Sequence, residues 1–141
     1  MQQRERVHTR RLLLWAAPLV VGHFVVVLWH LFLLVKVEPN TPHILPPLLI
    51  LINLIPVAGL FVFVKGFPKL AASMVALPLG VAIAIGGYSH FVSSASDNVF
   101  RLPPGGYILS YQISAVVLVI LEALGCWIGF RMLATARTGS R

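Results

Sequence analysis

Four ionisable side chains lie inside long apolar runs of the sequence: His23, His30, His90 and Glu122. Ionisable groups are rare within membrane segments, where they commonly mark proton relays, ion sites or cofactor ligands. His23 and His30 are seven residues apart. On an α-helix this spacing returns to nearly the same face, roughly 10 Å farther along the axis. The spacing therefore predicts two imidazoles on one face of a single helix.

A metal site is one chemistry that the histidines could support. Imidazole suits zinc, copper and iron, and a carboxylate can complete the ligand set. Four candidate ligands are expected toward the outer side of the protein, namely His30, His43, His90 and Asp97. The sequence has neither an HxxxH nor an HExxH spacing, so these ligands would have to converge from different elements.

A b-type haem is a second possibility, because two histidines on facing helices can hold its iron when they lie at matching depth. His30 and His90 fit this requirement, whereas His23 has no histidine partner at its own depth. Chlorophyll magnesium needs only one protein ligand, so His23 is also a candidate cofactor ligand. The opposing interpretation, which the sequence favours, gives His30 and His90 structural or interfacial roles.

Glu122 suggests proton or ion transfer. No lysine or arginine lies in the middle of an apolar run to neutralise it, and an unpaired carboxyl in a low dielectric favours its neutral form. One hypothesis is a relay that Glu122 shares with His23 and Asn53. The alternative, favoured here, is a protonated carboxyl hydrogen-bonded between helices, because one carboxyl alone does not make a pathway.

Four apolar segments are long enough to position these groups across a membrane, whose hydrocarbon core needs about 20 helical residues. They cover approximately residues 12–37, 44–64, 70–92 and 107–133. None shows the alternation of a membrane β-strand, so the sequence predicts an all-α integral membrane protein. Short connections make neighbouring spans antiparallel, which gives an up-down bundle of four transmembrane helices forming a single domain over residues 1–141.

Composition and charge fit this prediction. The 141 residues are 58% hydrophobic and 11% charged, whereas a soluble domain carries about 25% charged residues. Nine of the 11 lysines and arginines fall on one side of the predicted bundle, and only Lys36 and Arg101 fall on the other. The positive-inside rule then puts both termini in the cytoplasm, and the pattern fits a bacterial inner membrane. Charges at segment ends argue against a nucleic-acid partner.

The expected function is that of a non-catalytic accessory subunit in a larger membrane complex, or in a homo-oligomer, with the lipid bilayer as its surroundings. The loops are thin, and the sequence has no nucleophile elbow, phosphate-binding loop or dinucleotide fingerprint. Two alternatives stay open. One is a redox protein that holds haem b, chlorophyll or a transition metal through its outer histidines. The other is a small oligomeric transporter built around Glu122.

Overall fold

The computed structural model describes residues 2–37, 45–94, 98–102 and 104–138. These residues form four helices: α1 (Gln2–Val37), α2 (Leu45–Val64), α3 (Pro68–Phe91) and α4 (Ile108–Thr138). The helices follow the predicted spans closely in their apolar parts. However, α1 begins ten residues before the first predicted span, and α4 ends five residues after the last. Both extensions are polar, charged sequence, so the helices continue beyond the apolar runs.

Three of the four helices are long and apolar enough to cross a membrane by length and composition. The qualifying segments are Leu14–Val37, Pro68–Phe91 and Ile108–Thr135. The fourth helix, α2, is shorter, and its described apolar stretch runs from Ile52 to Val64. The prediction of an all-helical membrane protein is therefore confirmed at this level.

A tight turn connects α2 to α3. Gly66 has a φ of +91°, a conformation that glycine adopts without steric penalty. The Gly66 N–H donates to the Phe63 carbonyl at 3.0 Å, and the Phe67 N–H donates to the Val62 carbonyl at 3.2 Å. This is a Schellman ending of α2, and Pro68 follows as the first residue of α3. The chain reverses here, so α2 and α3 run antiparallel.

Helix α4 packs against both α1 and α3. Its contact with α3 is close, because a Cβ added at Gly129 would lie 2.8 Å from the Ala76 Cβ. Farther along the same pair, a Cβ at Gly80 would lie 3.5 Å from the Cys126 sulfur. The contact moves forward along α3 as it moves backward along α4, so these helices are antiparallel. Glycine and alanine at the contact allow the two backbones to approach.

The core divides into three apolar clusters along the bundle. One cluster, near the α2–α3 turn, contains Ala16 and Met132, and the next contains Val20 and Leu79. The third, near the opposite end, joins residues of α1, α4 and the α3–α4 connection: Val27, Leu31, Leu33, Leu34, Val99, Tyr111, Ala115 and Leu118. In the described part of the chain, five polar side chains are buried with them. Four of these belong to α1 and α4, namely His23, His30, Ser114 and Glu122, and one, Asn98, lies in the connection. The candidate site therefore lies along the α1–α4 interface.

Candidate functional site

His23 and Glu122 meet across the α1–α4 interface. The His23 Nε2 and Glu122 Oε1 atoms are 3.5 Å apart, and the residues are 0% and 7% exposed. This distance exceeds the usual hydrogen-bond range of about 2.7–3.2 Å but lies within ion-pair range. Proton transfer requires an approach to about 2.6–3.2 Å. A shift of a few tenths of an ångström would therefore allow a proton to pass directly between the two side chains.

The environment of this pair is apolar. Val20 on α1 and Leu79 on α3 are buried in a cluster less than one helical turn away from His23 along α1. Electrostatic interactions are stronger in such a setting than in water. The other ring nitrogen of His23, Nδ1, has no hydrogen-bond partner within the described part of the chain. The pair thus joins the buried carboxyl of Glu122 to the buried imidazole of His23, whose second nitrogen has no hydrogen-bond partner among the described residues.

His30 forms a second polar group, with two residues of α4. Its Nδ1 atom lies 2.8 Å from the Ser114 hydroxyl oxygen, and its ring stacks on Tyr111 with centroids 4.6 Å apart. The Ser114 hydroxyl also donates to the Tyr111 carbonyl oxygen at 2.7 Å. His30 is 4% exposed, and its Nε2 atom has no hydrogen-bond partner among the described residues.

His90 of α3 joins this second group. Its ring lies edge-on to the His30 ring with centroids 4.9 Å apart, and its Nδ1 atom is 3.3 Å from the Tyr111 hydroxyl. The sequence placed His30 and His90 at similar depth, and the fold brings them into contact. We call the four residues His30, His90, Tyr111 and Ser114 the histidine cluster.

The contact between these two rings bears on the expected haem site. The two axial histidines of a haem lie on opposite faces of the macrocycle, whereas His30 and His90 touch each other directly. A haem between them would require α1 and α3 to separate. Within the described residues, no group of three or more His, Cys, Asp or Glu side chains is placed to hold a metal ion. The proposed ligands His43 and Asp97 lie outside the described residues, so the metal and haem hypotheses stay predictions.

An apolar layer separates the histidine cluster from the His23–Glu122 pair. Val27 lies between the two histidines on α1, and Leu118 lies between Glu122 and Ser114 on α4. Both are buried in the same cluster, together with Ala115. Polar groups thus occupy two levels of one interface, with hydrocarbon between them.

Asn53 was predicted to share the relay with Glu122. In the structure its amide nitrogen donates to the Leu49 carbonyl oxygen at 2.8 Å, within its own helix. The contact between His23 and Glu122 is direct and involves no atom of Asn53. A part for Asn53 in the relay stays a prediction.

The described part of the connection between α3 and α4 packs near the histidine cluster, since Val99 shares an apolar cluster with Tyr111. Val99 is 3% exposed, and its N–H donates to the His90 carbonyl oxygen at 2.9 Å. The Gln112 side chain donates to the Val99 carbonyl oxygen at 2.7 Å. The described part of this connection is therefore anchored to α3 and α4, two of the three helices that carry the cluster.

Ser114 was not singled out from the sequence. A serine within a transmembrane helix commonly bonds to a carbonyl one turn earlier, and nothing in its type or spacing distinguishes it from such a residue. The only available signal was its position three residues after Tyr111, which places both on nearly one face of α4.

Comparisons of the chain with protein-family models, with curated proteins and with solved structures found no match.

Proposed function

We propose that this chain is a proton-translocating membrane protein in which His23 and Glu122 form the central proton-exchange site. The observation that carries the proposal is the 3.5 Å contact between a fully buried imidazole and a buried carboxyl on different helices. Intramembrane acid–base pairs of this kind are typical of proton relays in pumps and transporters. The proton would move between Glu122 Oε1 and His23 Nε2.

The energetics of burial support a functional role. Holding two ionisable groups in a dry interior carries a desolvation penalty, and apolar residues of similar volume are often at least as stabilising. If stability were its only role, the His23–Glu122 pair would therefore add little to the free energy of unfolding. A pair that exchanges a proton needs this setting, because the surrounding hydrocarbon restricts the proton to the few polar atoms present.

The proposal includes a topology of four spans with both termini in the cytoplasm of a bacterium. Helix α2 has 20 residues, and at a rise of 1.5 Å per residue this is about the 30 Å thickness of the hydrocarbon core. Lys65 lies in the α2–α3 turn and Lys69 in the first turn of α3, as expected for a cytoplasmic end of the bundle. The histidine cluster would then face the outer half of the membrane.

The test is proton flux into liposomes that contain the purified protein and an internal pH-sensitive dye. A potassium gradient with valinomycin provides the driving force. We expect wild-type protein to acidify the lumen faster than empty liposomes do. Glu122→Gln keeps the size and hydrogen-bonding capacity of the side chain but removes its exchangeable acid, so flux should fall by about 100-fold, within the range of general acid–base effects.

A matched control is Ser73→Ala, since the Ser73 hydroxyl donates only to the Lys69 carbonyl of its own helix among the contacts that the structure gives for it. This variant should conduct like the wild type. Wild-type flux equal to that of empty liposomes would refute the proposal, as would undiminished flux in Glu122→Gln.

An accessory subunit is the second candidate function. Its support is the short α2–α3 turn of three residues, Lys65–Phe67, which leaves no room for a catalytic domain between these two helices. In this case liposomes that contain the wild-type protein or Glu122→Gln would acidify no faster than empty liposomes, and the wild-type protein would co-purify with a larger complex from native membranes.

A further inference from the structure

The hydrogen bonds around Ser114 determine which nitrogen of His30 carries a proton. A serine hydroxyl has one hydrogen to donate, whereas a backbone carbonyl can only accept. The Ser114 hydroxyl lies 2.7 Å from the Tyr111 carbonyl oxygen, so its hydrogen is directed there. At the 2.8 Å contact with His30 Nδ1, the Ser114 oxygen must therefore accept, and Nδ1 must donate.

We propose that Ser114 is a positioning residue that holds His30 in its Nδ1–H tautomer, so that Nε2 is the atom that binds and releases protons in the outer half of the bundle. The assignment of a proton-carrying role to Nε2 rests on the proposed function. The tautomer itself follows from the hydrogen-bond geometry alone.

The Nε2 atom is suited to this role because it is buried and lacks a hydrogen-bond partner within the described chain. In a neutral Nδ1–H imidazole it carries a lone pair, which makes it an acceptor. Binding of a proton gives an imidazolium with an N–H at both positions. Ser114 then still accepts from Nδ1, and a hydrogen bond from a charged donor is stronger than one from a neutral donor. Protonation of Nε2 therefore leaves the hydrogen bond from Nδ1 to Ser114 in place.

The same geometry prevents the proton from leaving through Nδ1. The Ser114 oxygen would have to pass its own hydrogen onward, but that hydrogen is donated to a backbone carbonyl of α4. The proton must return through Nε2. His30 therefore binds and releases its proton at the same atom, Nε2. It does not take up a proton at one nitrogen and release it at the other.

Two other titratable groups face the His30 ring. Tyr111 of α4 stacks on it, and His90 of α3 contacts its edge. His90 is only half-buried, so it is the member of the histidine cluster that is nearest to the surrounding solvent or headgroups. Because His30 Nε2 has no hydrogen-bond partner among the described residues, a proton would pass between His90 and His30 only after one of the rings moves.

The test is solid-state NMR of ¹⁵N-histidine-labelled protein in lipid, with the His30 signals assigned from their loss in His30→Asn. Nitrogen shifts distinguish the two neutral tautomers. Wild-type His30 should be protonated at Nδ1 and not at Nε2. Ser114→Ala removes the acceptor and should produce a mixture of tautomers, whereas Ser114→Thr keeps the hydroxyl and should retain the wild-type signals.

Proton flux should fall about tenfold in Ser114→Ala, as expected from the loss of one hydrogen bond, and recover in Ser114→Thr.

A wild-type His30 protonated at Nε2 would overturn the inference. An unchanged tautomer in Ser114→Ala would overturn the positioning role of Ser114. If only the proposed function is wrong, the results differ. Liposomes that contain the wild-type protein would show no more proton flux than empty liposomes, while Ser114→Ala would still change the His30 tautomer.

Discussion

Four of the polar side chains that are buried in the described part of the chain, His23, His30, Ser114 and Glu122, lie at two levels of the α1–α4 interface. His23 and His30 each have one nitrogen without a partner among the described residues, and they are seven residues apart on the same helix face, roughly 10 Å along the axis. This distance is too long for a hydrogen bond. A proton that passes between the two levels would need water molecules or side-chain movement at the layer formed by Val27, Ala115 and Leu118.

Replacement of Leu118 tests whether this apolar layer limits proton flux. Leu118→Ser removes three carbon atoms from the layer and adds a hydroxyl at the level between His23 and His30. A buried site holds water when it has room and two or more polar partners, so we expect flux into liposomes to rise several-fold.

The control for this variant is Leu124→Ser on the same helix. Leu124 is 46% exposed on the outer surface of the helices, where a serine would bond to its own helix. This variant should conduct like the wild type. Equal flux in wild type and Leu118→Ser would show that the layer does not limit transfer.

At the scale of the helices, the sequence pattern was sufficient to place two ionisable residues on one helix face. The seven-residue spacing of His23 and His30 predicted a shared face, and both side chains contact α4. The contacts of these histidines with Glu122 and Ser114 could not be predicted from the sequence, because they join residues 99 and 84 positions apart. Such contacts depend on how each helix is rotated about its axis, and nearly uniform apolar sequence carries little information on rotation.

The rotation of α4 relative to α3 is fixed by small residues, and Gly129 provides the clearest example. A Cβ at this position would lie 2.8 Å from both the Cβ and the backbone nitrogen of Ala76, so neither side chain nor backbone could accommodate it without separation of the helices. We expect Gly129→Ala to lower the free energy of unfolding by about 1–3 kcal/mol, as for other overpacked sites. Unfolding in mixed micelles would measure the change.

Gly22 provides a matched control for this substitution. It also lies within a helix, but a Cβ there would meet nothing within 4 Å. Because alanine favours a helix over glycine by about 1 kcal/mol, Gly22→Ala should be neutral or slightly stabilising. Equal stability of the two variants would contradict the close packing of α3 on α4.

At the scale of the whole molecule, two cation–aromatic pairs occur near opposite ends of the bundle. Arg131 of α4 lies over the Trp127 ring at 5.8 Å, and Lys36 of α1 lies over the Phe32 ring at 5.6 Å. Long cationic side chains beside aromatic rings are typical of the boundary between hydrocarbon and headgroups. Arg131 lies on the end that also carries the α2–α3 turn, whereas Lys36 lies on the end that carries the α3–α4 connection.

The direction of the molecule in the membrane can be tested with single cysteines in a Cys126→Ala background, which removes the only native thiol. Ser94 follows α3, Lys65 follows α2, and both are exposed. The excess of lysine and arginine at the α2–α3 end predicts that this end is cytoplasmic. A membrane-impermeant maleimide should therefore label Ser94→Cys in intact cells, but Lys65→Cys only after permeabilisation. The reverse pattern would contradict the proposed topology. Because His30 and His90 lie toward the Ser94 end, the same labelling decides whether the histidine cluster exchanges protons with the outer or the cytoplasmic side.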